Sequence, residues 1–393
     1  VHNVGGYTNC YNGTWNEEFC PDTETCKKNC AVEGVQKVTG GVELKYMTAG
    51  GNVGSRLYVT DGEESYKMFK LLNREFTLDV DVSTLVCGLN GAVYFVEMAA
   101  MGGKGLEENN RAGAKYGTGY CDAQCPHEKF ERNESHGICC VEMDIWEANK
   151  RATAFTPHPC STVGPTRCTG IDCGYGAEDD ARWKGLCDKD GCDMNAYRMG
   201  NKNFYGNGSD FRVDTTKPMT VVTQFHTSDG TDEGHLVEIR RLYVQNGKVI
   251  AHADSTLPGI QGGAVTDKFC NAQKAVFGDI DHHQAKGRLE EHGGDPEARH
   301  GLELVGLGRL LHPDAMAGLH FSCRSFRQRP SRCGTGSLPR LDQPSGLRQE
   351  SLQQGLCKVY KHQVRRYRHH LRTDEGPTID INRARVRFAG QAE

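Results

Sequence analysis

The cysteines constrain this chain more than any other feature of its sequence. There are 18 of them in 393 residues, mostly at short and irregular spacings that include the adjacent pair Cys139-Cys140. This density is typical of proteins from an oxidising compartment, where cysteines pair as disulfides. A zinc site that uses the C-x3-C spacing of Cys121 and Cys125 is an alternative, but nearby histidines are few. We therefore expect a secreted, disulfide-bonded chain.

Composition excludes several functional classes. The net charge of −4 argues against a nucleic-acid-binding protein with a strongly basic surface. No apolar run reaches the length of about 18 residues that a membrane span needs. No apolar signal segment precedes Val1, so we expect no signal peptide within this sequence. Glycosylation sequons that fit a secreted glycoprotein begin at Asn12, Asn133 and Asn207.

The apolar periodicity predicts strands. Residues 74–85 alternate apolar and mostly polar side chains, as expected for a strand with one buried face. The apolar face carries Phe76, Leu78, Val80 and Val82. Further strands are predicted at 92–98, at 219–227 and, as a hairpin around Asn246-Gly247, at 236–250. Long amphipathic helices are not evident, and glycine-rich segments separate the strands, so we expect an all-β sandwich or jelly roll.

Three carboxylates lie close together in residues 138–149, ICCVEMDIWEAN. Glu142 and Asp144 are two apart and share a face of a strand. Glu147 is an odd number of residues from Glu142, so a regular strand would send it to the opposite face. A β-bulge near Ile145-Trp146, or the end of the strand, would return it to the same face.

Such a cluster suits retaining glycoside hydrolysis. Mutual repulsion raises the pKa of at least one carboxyl, so one group can stay protonated while another is ionised. Retaining glycosidases use a nucleophile and an acid/base about 5–5.5 Å apart. The alternative is a solvated acidic strand edge. Interleaved apolar residues make that alternative less favourable; they are Val141, Met143, Ile145 and Trp146.

Residues 138–149 resemble the catalytic strand of glycoside hydrolase family 7, whose motif is E-x-D-x-x-E-x-N. Other segments resemble the family in the same order; they are 8–30, 87–98, 112–126, 156–164, 187–201 and 220–225. The resemblance covers about residues 1–287. It implies a curved antiparallel β-sandwich of the jelly-roll, concanavalin A-like type, with long loops over a cellulose-binding groove. It also implies retaining hydrolysis of β-1,4-glucosidic bonds.

The resemblance assigns roles residue by residue. Glu142 matches the nucleophile, Glu147 the acid/base, and Asp144 the residue that tunes the nucleophile, while His158 matches a histidine near the acid/base. Groove positions that bind the sugar or lie beside it are implied at Asn90, Tyr94, Tyr120, Asp122, Gln124, His158, Arg56, Arg198 and Trp146. The implied partner is cellulose or a cello-oligosaccharide. A monomer that needs no metal and no cofactor is expected, with no nucleic-acid or membrane partner.

The resemblance also implies a disulfide pattern. The implied pairs are Cys10–Cys30, Cys20–Cys26, Cys121–Cys140, Cys125–Cys139, Cys160–Cys187, Cys168–Cys173 and Cys192–Cys270. Four cysteines are left without family partners, namely Cys87, Cys323, Cys333 and Cys357. The family carries a further segment ahead of Val1. The loop between Cys125 and Cys139 is short and that between Cys173 and Cys187 is long, which leaves exo and endo action both open.

The last part of the chain departs from the family. Residues 1–281 carry 28 Lys+Arg and 39 Asp+Glu, a net of −11, whereas residues 282–393 carry 19 and 12, a net of +7. The resemblance continues through residues 277–287 and then stops. We therefore divide the chain into a catalytic domain at 1–287 and a basic tail at 288–393. One hypothesis is that the tail is a frame-shifted translation of the family's C-terminal part. The alternative for the tail is a genuine basic appendage for polyanions. The alternative function for the whole chain is a sandwich that binds carbohydrate but is catalytically impaired because of this tail.

Overall fold

The structure is a computed structural model of the 393-residue chain. It describes residues 56–105, 110, 112–129, 135–178 and 180–289, together with 2–3, 8, 10, 15–31, 35–38 and 41–45. Of the later residues, it describes the backbone of four strands. None of the helices among the described residues has the length and apolar character needed to cross a membrane.

Short strands dominate the described residues. In chain order they are β1 His2–Asn3, β2 Cys30–Ala31, β3 Val35–Val38, β4 Gly41–Lys45, β5 Arg56–Tyr58, β6 Thr60–Asp61, β7 Ser65–Tyr66, β8 Arg74–Asp81, β9 Leu89–Val96, β10 His127–Lys129, β11 Ser135–Cys139, β12 Glu142–Ala148, β13 Thr153–His158, β14 Thr166–Thr169, β15 Tyr205–Gly206, β16 Val213–Asp214, β17 Met219–Thr227, β18 Leu236–Gln245, β19 Lys248–Ala251, β20 Leu319–Ser325, β21 Gly355–Tyr360, β22 Gln363–Arg366 and β23 Arg385–Gly390. The α-helices are α1 Thr23–Asn29, α2 Ala181–Lys184, α3 Asp267–Phe277 and α4 His282–Ala285, and 3₁₀ turns lie at Ala114–Tyr116 and Gly170–Cys173.

Two large, mainly antiparallel sheets form the body of the fold. The smaller has the strand order β13-β12-β9-β20-β5. The larger has the order β19-β18-β17-β8-β23-β21-β4-β3, and β22 also pairs with β8. One apolar core contains inward side chains of both sheets. The predicted all-β sandwich is therefore confirmed.

Strand β8 shows how the sequence builds this core. Phe76, Leu78 and Val80 are buried, as the alternation predicts, and so is Val82 just beyond the strand. The ring of Phe76 lies 5.2 Å from that of Phe95 on β9, edge to face, so this contact joins the two sheets. Full burial of one such side chain contributes about 1.5–3 kcal/mol.

The predicted hairpin is also present. Its two strands, β18 and β19, pair in antiparallel fashion and leave Asn246 and Gly247 in the turn. Both residues have positive φ, 52° and 74° respectively, which asparagine and glycine tolerate better than other residues.

None of the four described α-helices is predicted from the sequence, and the longest of them is α3. Helix α3 is 11 residues long, and local signals mark both of its ends. The Thr266 hydroxyl accepts a hydrogen bond from the backbone N–H of Phe269 at 3.1 Å. Gly278 ends the helix with φ 69°. These are an N-cap and a glycine C-terminus of the common kind.

Disulfides account for the cysteine spacings. All seven pairs implied by the resemblance are present. The zinc alternative for Cys121, Cys125 and the adjacent pair is therefore wrong. Cys87 is disulfide-bonded as well, which corrects the expectation that it lacks a partner.

Strands from beyond residue 288 join both sheets. Strand β20 lies between β9 and β5, and β23 and β21 lie between β8 and β4. The division of the chain at residue 287 and the reading-frame hypothesis stay predictions.

Candidate active site

A bulge in β12 gathers the three carboxylates on one face. Opposite residues of paired strands share a face, and Glu142, Asp144 and Glu147 lie opposite Val96, Tyr94 and Ala92 of β9, which alternate along one face of that strand. The register shifts after Asp144 against both β9 and β13. The shift means that β12 has one extra residue, Ile145, relative to β9. An extra residue changes which face of the strand the later side chains share. The predicted bulge is confirmed, and Glu147 lies on the same face as Glu142.

The same bulge places the Trp146 side chain on the opposite face of β12, towards the core. Trp146 is completely buried in the core. Its ring lies 5.9 Å from that of Tyr205 and 6.2 Å from that of Tyr243 on β18, in the opposite sheet. On a regular strand Trp146 would share the face of Glu142 and Asp144. Its expected place beside the sugar is therefore wrong, because the bulge reverses that parity.

His158 on β13 is the hydrogen-bond partner of Asp144. Its Nε2 donates to Asp144 Oδ2 at 3.0 Å, and its Nδ1 donates to the backbone oxygen of Asp188 at 2.8 Å. A ring that donates from both nitrogens is an imidazolium. Burial lowers the pKa of His158, but the hydrogen bond and charge of Asp144, with the charges of Glu142 and Asp188, outweigh it and raise the pKa to about 10.

This ion pair predicts a loss of stability at alkaline pH. The folded-state pKa of about 10 lies above the ordinary histidine value of 6.5, so the folded chain holds the proton more tightly. The stabilisation is fully present below pH 6.5 and is lost as the pH rises through about 10. We expect the Tm of the wild type to fall over this window more steeply than that of His158→Gln. Thermal unfolding followed by circular dichroism would measure it, and parallel curves would contradict the prediction.

Two hydrogen bonds orient the outer carboxylates. The backbone N–H of Ala123 donates to Glu142 Oε2 at 3.2 Å. Asn90 Nδ2 on β9 donates to Glu147 Oε1 at 2.8 Å. Glu142 and Asp144 are both buried. Glu147 is half-buried. Each outer carboxyl is therefore held in place by a hydrogen bond.

A chain of hydroxyls extends from the same face. The Tyr120 hydroxyl donates to Asp122 Oδ2 at 2.5 Å and lies 3.1 Å from the hydroxyl of Tyr94. Burial, followed by the neighbouring Tyr94 and Asp122, raises the pKa of Tyr120 well above its usual value, so it remains a donor. The guanidinium of Arg56 on β5 lies 3.8 Å above the Tyr120 ring. This arrangement joins two tyrosine hydroxyls, a carboxylate and a guanidinium, and the Tyr94 ring itself is buried in an apolar cluster.

Two disulfides fix the loop that carries these residues. Cys121–Cys140 and Cys125–Cys139 tie the loop to the residues directly before β12. Within the loop, Gln124 Nε2 donates to the backbone oxygen of Lys189 at 2.8 Å. The cross-links therefore hold the Ala123 N–H against Glu142.

Arg198 belongs to a different cluster. It forms ion pairs with Asp193 and, at 3.1 Å, with Asp279, and its guanidinium lies 4.1 Å from the ring centre of Phe277. The contacts of the described residues do not join it to the carboxylates. The structure therefore gathers all the predicted site residues except Trp146 and Arg198.

The carboxylate site also has the residue types of a metal site. Ligand atoms of Glu142, Asp144 and His158 lie within 4.8 Å of one another. Both nitrogens of His158, however, donate to oxygen atoms. A metal would have to displace the ion pair with Asp144, so these residues fit an ion poorly.

Comparisons with known proteins identify the family. The profile of "Glycosyl hydrolase family 7" matches residues 1–305. The chain belongs to this family. It is therefore a glycoside hydrolase of the cellulase family, and its β-sandwich is the family's fold.

Solved family-7 structures resemble the chain closely. A cellobiohydrolase from Daphnia pulex is 42% identical with a TM-score of 0.68, over 85% of this chain and 82% of that one. The Humicola insolens endocellulase is 34% identical with a TM-score of 0.64, over 82% and 77%. A cellobiohydrolase from Melanocarpus albomyces, solved with cellotetraose, is 32% identical with a TM-score of 0.64, over 82% and 75%.

Sequence reasoning missed two groups in this family-7 site. Both are backbone groups, the N–H of Ala123 and the carbonyl of Asp188. Neither has a side-chain signal. The cysteines on either side of Ala123, at 121 and 125, were the one available hint that the segment is fixed.

Proposed function

We propose that this chain is a secreted, retaining β-1,4-glucanase acting on cellulose or cello-oligosaccharides. The observation that carries the proposal is the bulge in β12, which gives Glu142 and Glu147 the same face. A two-carboxylate displacement needs this shared face. Secretion is supported by the seven disulfides described above, by the bonded Cys87 and by the exposed sequon residue Asn207. The sequons at Asn12 and Asn133 lie outside the described residues.

The first half of the reaction forms a glycosyl-enzyme. A carboxylate oxygen of Glu142 attacks the anomeric carbon while the bond from that carbon to the leaving oxygen breaks. Glu147 gives its proton to the leaving oxygen, so that the shortened chain departs as an alcohol. Asn90, which donates to Glu147 Oε1, orients the acid for this transfer.

The second half releases the sugar. Glu147, now a carboxylate, removes a proton from water, and the water oxygen attacks the anomeric carbon as the bond to Glu142 breaks. Two inversions leave the original β configuration. The His158 imidazolium, bonded to Asp144, offsets the negative charge packed beside the nucleophile.

The remaining site residues are proposed to bind sugar. Ring faces of a glucan are apolar and its rim carries hydroxyls, so aromatic rings with amide, carboxylate and guanidinium groups suit it. The proposed set is Asn90, Tyr94, Tyr120, Asp122, Gln124, Arg56 and, in its separate cluster, Arg198.

Trapping of the intermediate tests the proposal. A cellobioside that carries fluorine at C2 and a dinitrophenyl leaving group should form a glycosyl-enzyme that hydrolyses slowly. We expect mass spectrometry to find one 2-deoxy-2-fluorocellobiosyl group on the peptide that contains Glu142, and none in Glu142→Gln. Saturable binding of cellotetraose with neither turnover nor labelling would instead identify an impaired carbohydrate-binding sandwich.

A further inference from the structure

Arg241 is an arginine whose whole side chain lies between the two sheets. It is on β18 between Ile239 and Tyr243, which share its inward face, and it is completely buried. An arginine stays charged at any ordinary pH, and burial of a charge costs several kcal/mol. Its contacts therefore indicate which part of the fold uses that charge.

The guanidinium of Arg241 extends across the core to the sheet that contains β12 and its three carboxylates. Nη2 donates to the backbone oxygen of Ile145 on β12, and Nε donates to the hydroxyl of Thr223 at 3.3 Å. The guanidinium carbon lies 4.4 Å from the ring centre of Phe155 on β13. Among the described residues, the Ile145 carbonyl is the one hydrogen-bond partner of Arg241 in the sheet that carries the carboxylates.

Ile145 is the extra residue of the bulge. The register pairs Asp144 and Trp146 with consecutive residues of β9 and leaves Ile145 without a partner there. Against β13 the pairing also skips Ile145. Ile145 is buried, and a buried carbonyl needs a hydrogen-bond donor. Arg241 donates to this carbonyl. The donor is charged, which makes such a hydrogen bond about twice as strong as a neutral one.

We propose that Arg241 is a positioning residue for Glu147. Arg241 binds the Ile145 carbonyl from the core side of the sheet, stabilises the bulge in this way and so sets the position of Glu147. This inference rests on the proposed function, in which Glu147 is the acid/base. Glu142 and Asp144 precede the bulge, so their placement depends on it less. Loss of the guanidinium should therefore misplace the proton donor selectively. A displacement of about 1 Å in a reacting group can cost about 10²-fold in rate.

Arg241→Met tests the proposal, because methionine has an unbranched apolar chain and no donor. Two substrates are compared, cellotetraose, whose leaving oxygen needs a proton, and dinitrophenyl β-cellobioside, whose leaving group does not. We expect kcat/KM for cellotetraose to fall about 10- to 100-fold. The first-turnover rate of dinitrophenolate release should change less than about threefold, since that step needs Glu142 and no proton.

The neighbouring arginine provides a matched control. Arg240 is exposed and pairs with Glu238 at 2.7 Å, so Arg240→Met should match the wild type on both substrates. Arg241→Lys keeps the charge and one donor and should recover part of the cellotetraose activity. Equal losses on both substrates, or failure of both Arg241 variants to fold, would overturn the positioning role. If Glu147→Gln itself lacks this dependence on the leaving group, the proposed function fails first, and the role of Arg241 fails with it.

Discussion

Glu142→Gln is expected to lower kcat on an aryl cellobioside by about 10⁴-fold or more, because removal of a nucleophile leaves only binding and electrostatic contributions. Glutamine has nearly the shape of glutamate, and its amide oxygen can still accept from the Ala123 N–H, which lies 3.2 Å from Glu142 Oε2. The fold and the affinity for cellotetraose should therefore persist. Steady-state kinetics with calorimetric binding would separate the two properties.

Rescue of a Glu142 variant by azide tests whether Glu142 is the nucleophile, because the configuration of the azide product depends on which group is missing. With Glu142→Ala, azide can enter the vacated space and attack the anomeric carbon directly. One inversion of a β-cellobioside then gives the α-azide. A suitable control is Glu75→Gln, since Glu75 is a strand carboxylate in the other sheet, bonded to Gln224 at 3.0 Å. Retained turnover in Glu142→Gln, or loss of turnover in the control, would contradict the assignment.

The parity of β12 shows how far the sequence could predict the site. The odd step between Glu142 and Glu147 required a bulge, and the structure has one. The same inserted residue must also reverse the face of Trp146, which the resemblance places beside the sugar and the structure places in the core. The spacing of residues in β12 was therefore enough to predict both the face of Glu147 and the face of Trp146. The motif drew attention to the residues and not to the side on which each would lie.

Other features depend on contacts that no local pattern contains. Alternation along β18 places Arg241 on the inward face, between two apolar residues, yet its acceptor is the backbone of Ile145, 96 positions away. The bond from His158 to the Asp188 carbonyl is equally invisible, because any residue has a carbonyl. Helix α3 is the opposite case, since its capping threonine and terminal glycine are readable signals in a chain otherwise dominated by strands.

Glu147→Gln is expected to separate the two steps of the reaction. Asn90 can still donate to the side-chain oxygen, so the substituted group should keep its place. Loss of general acid catalysis should lower kcat/KM for cellotetraose by about 10²- to 10⁴-fold. With dinitrophenyl β-cellobioside the first step needs no proton, but water is no longer activated for the second. A burst of dinitrophenolate followed by slow turnover, measured by stopped flow, is the expected result.

Azide again reveals the group that was lost, with the opposite stereochemistry. In Glu147→Gln the nucleophile Glu142 remains, so the glycosyl-enzyme still forms with one inversion, and azide then displaces Glu142 with a second. The product should be the β-azide, and the slow phase should accelerate with azide concentration. An α-azide from this variant would mean that Glu147 is the nucleophile and that the two roles are exchanged. The absence of a burst, with folding intact, would show that Glu147 does not act through proton transfer, since a proton donor cannot matter to a leaving group that needs none.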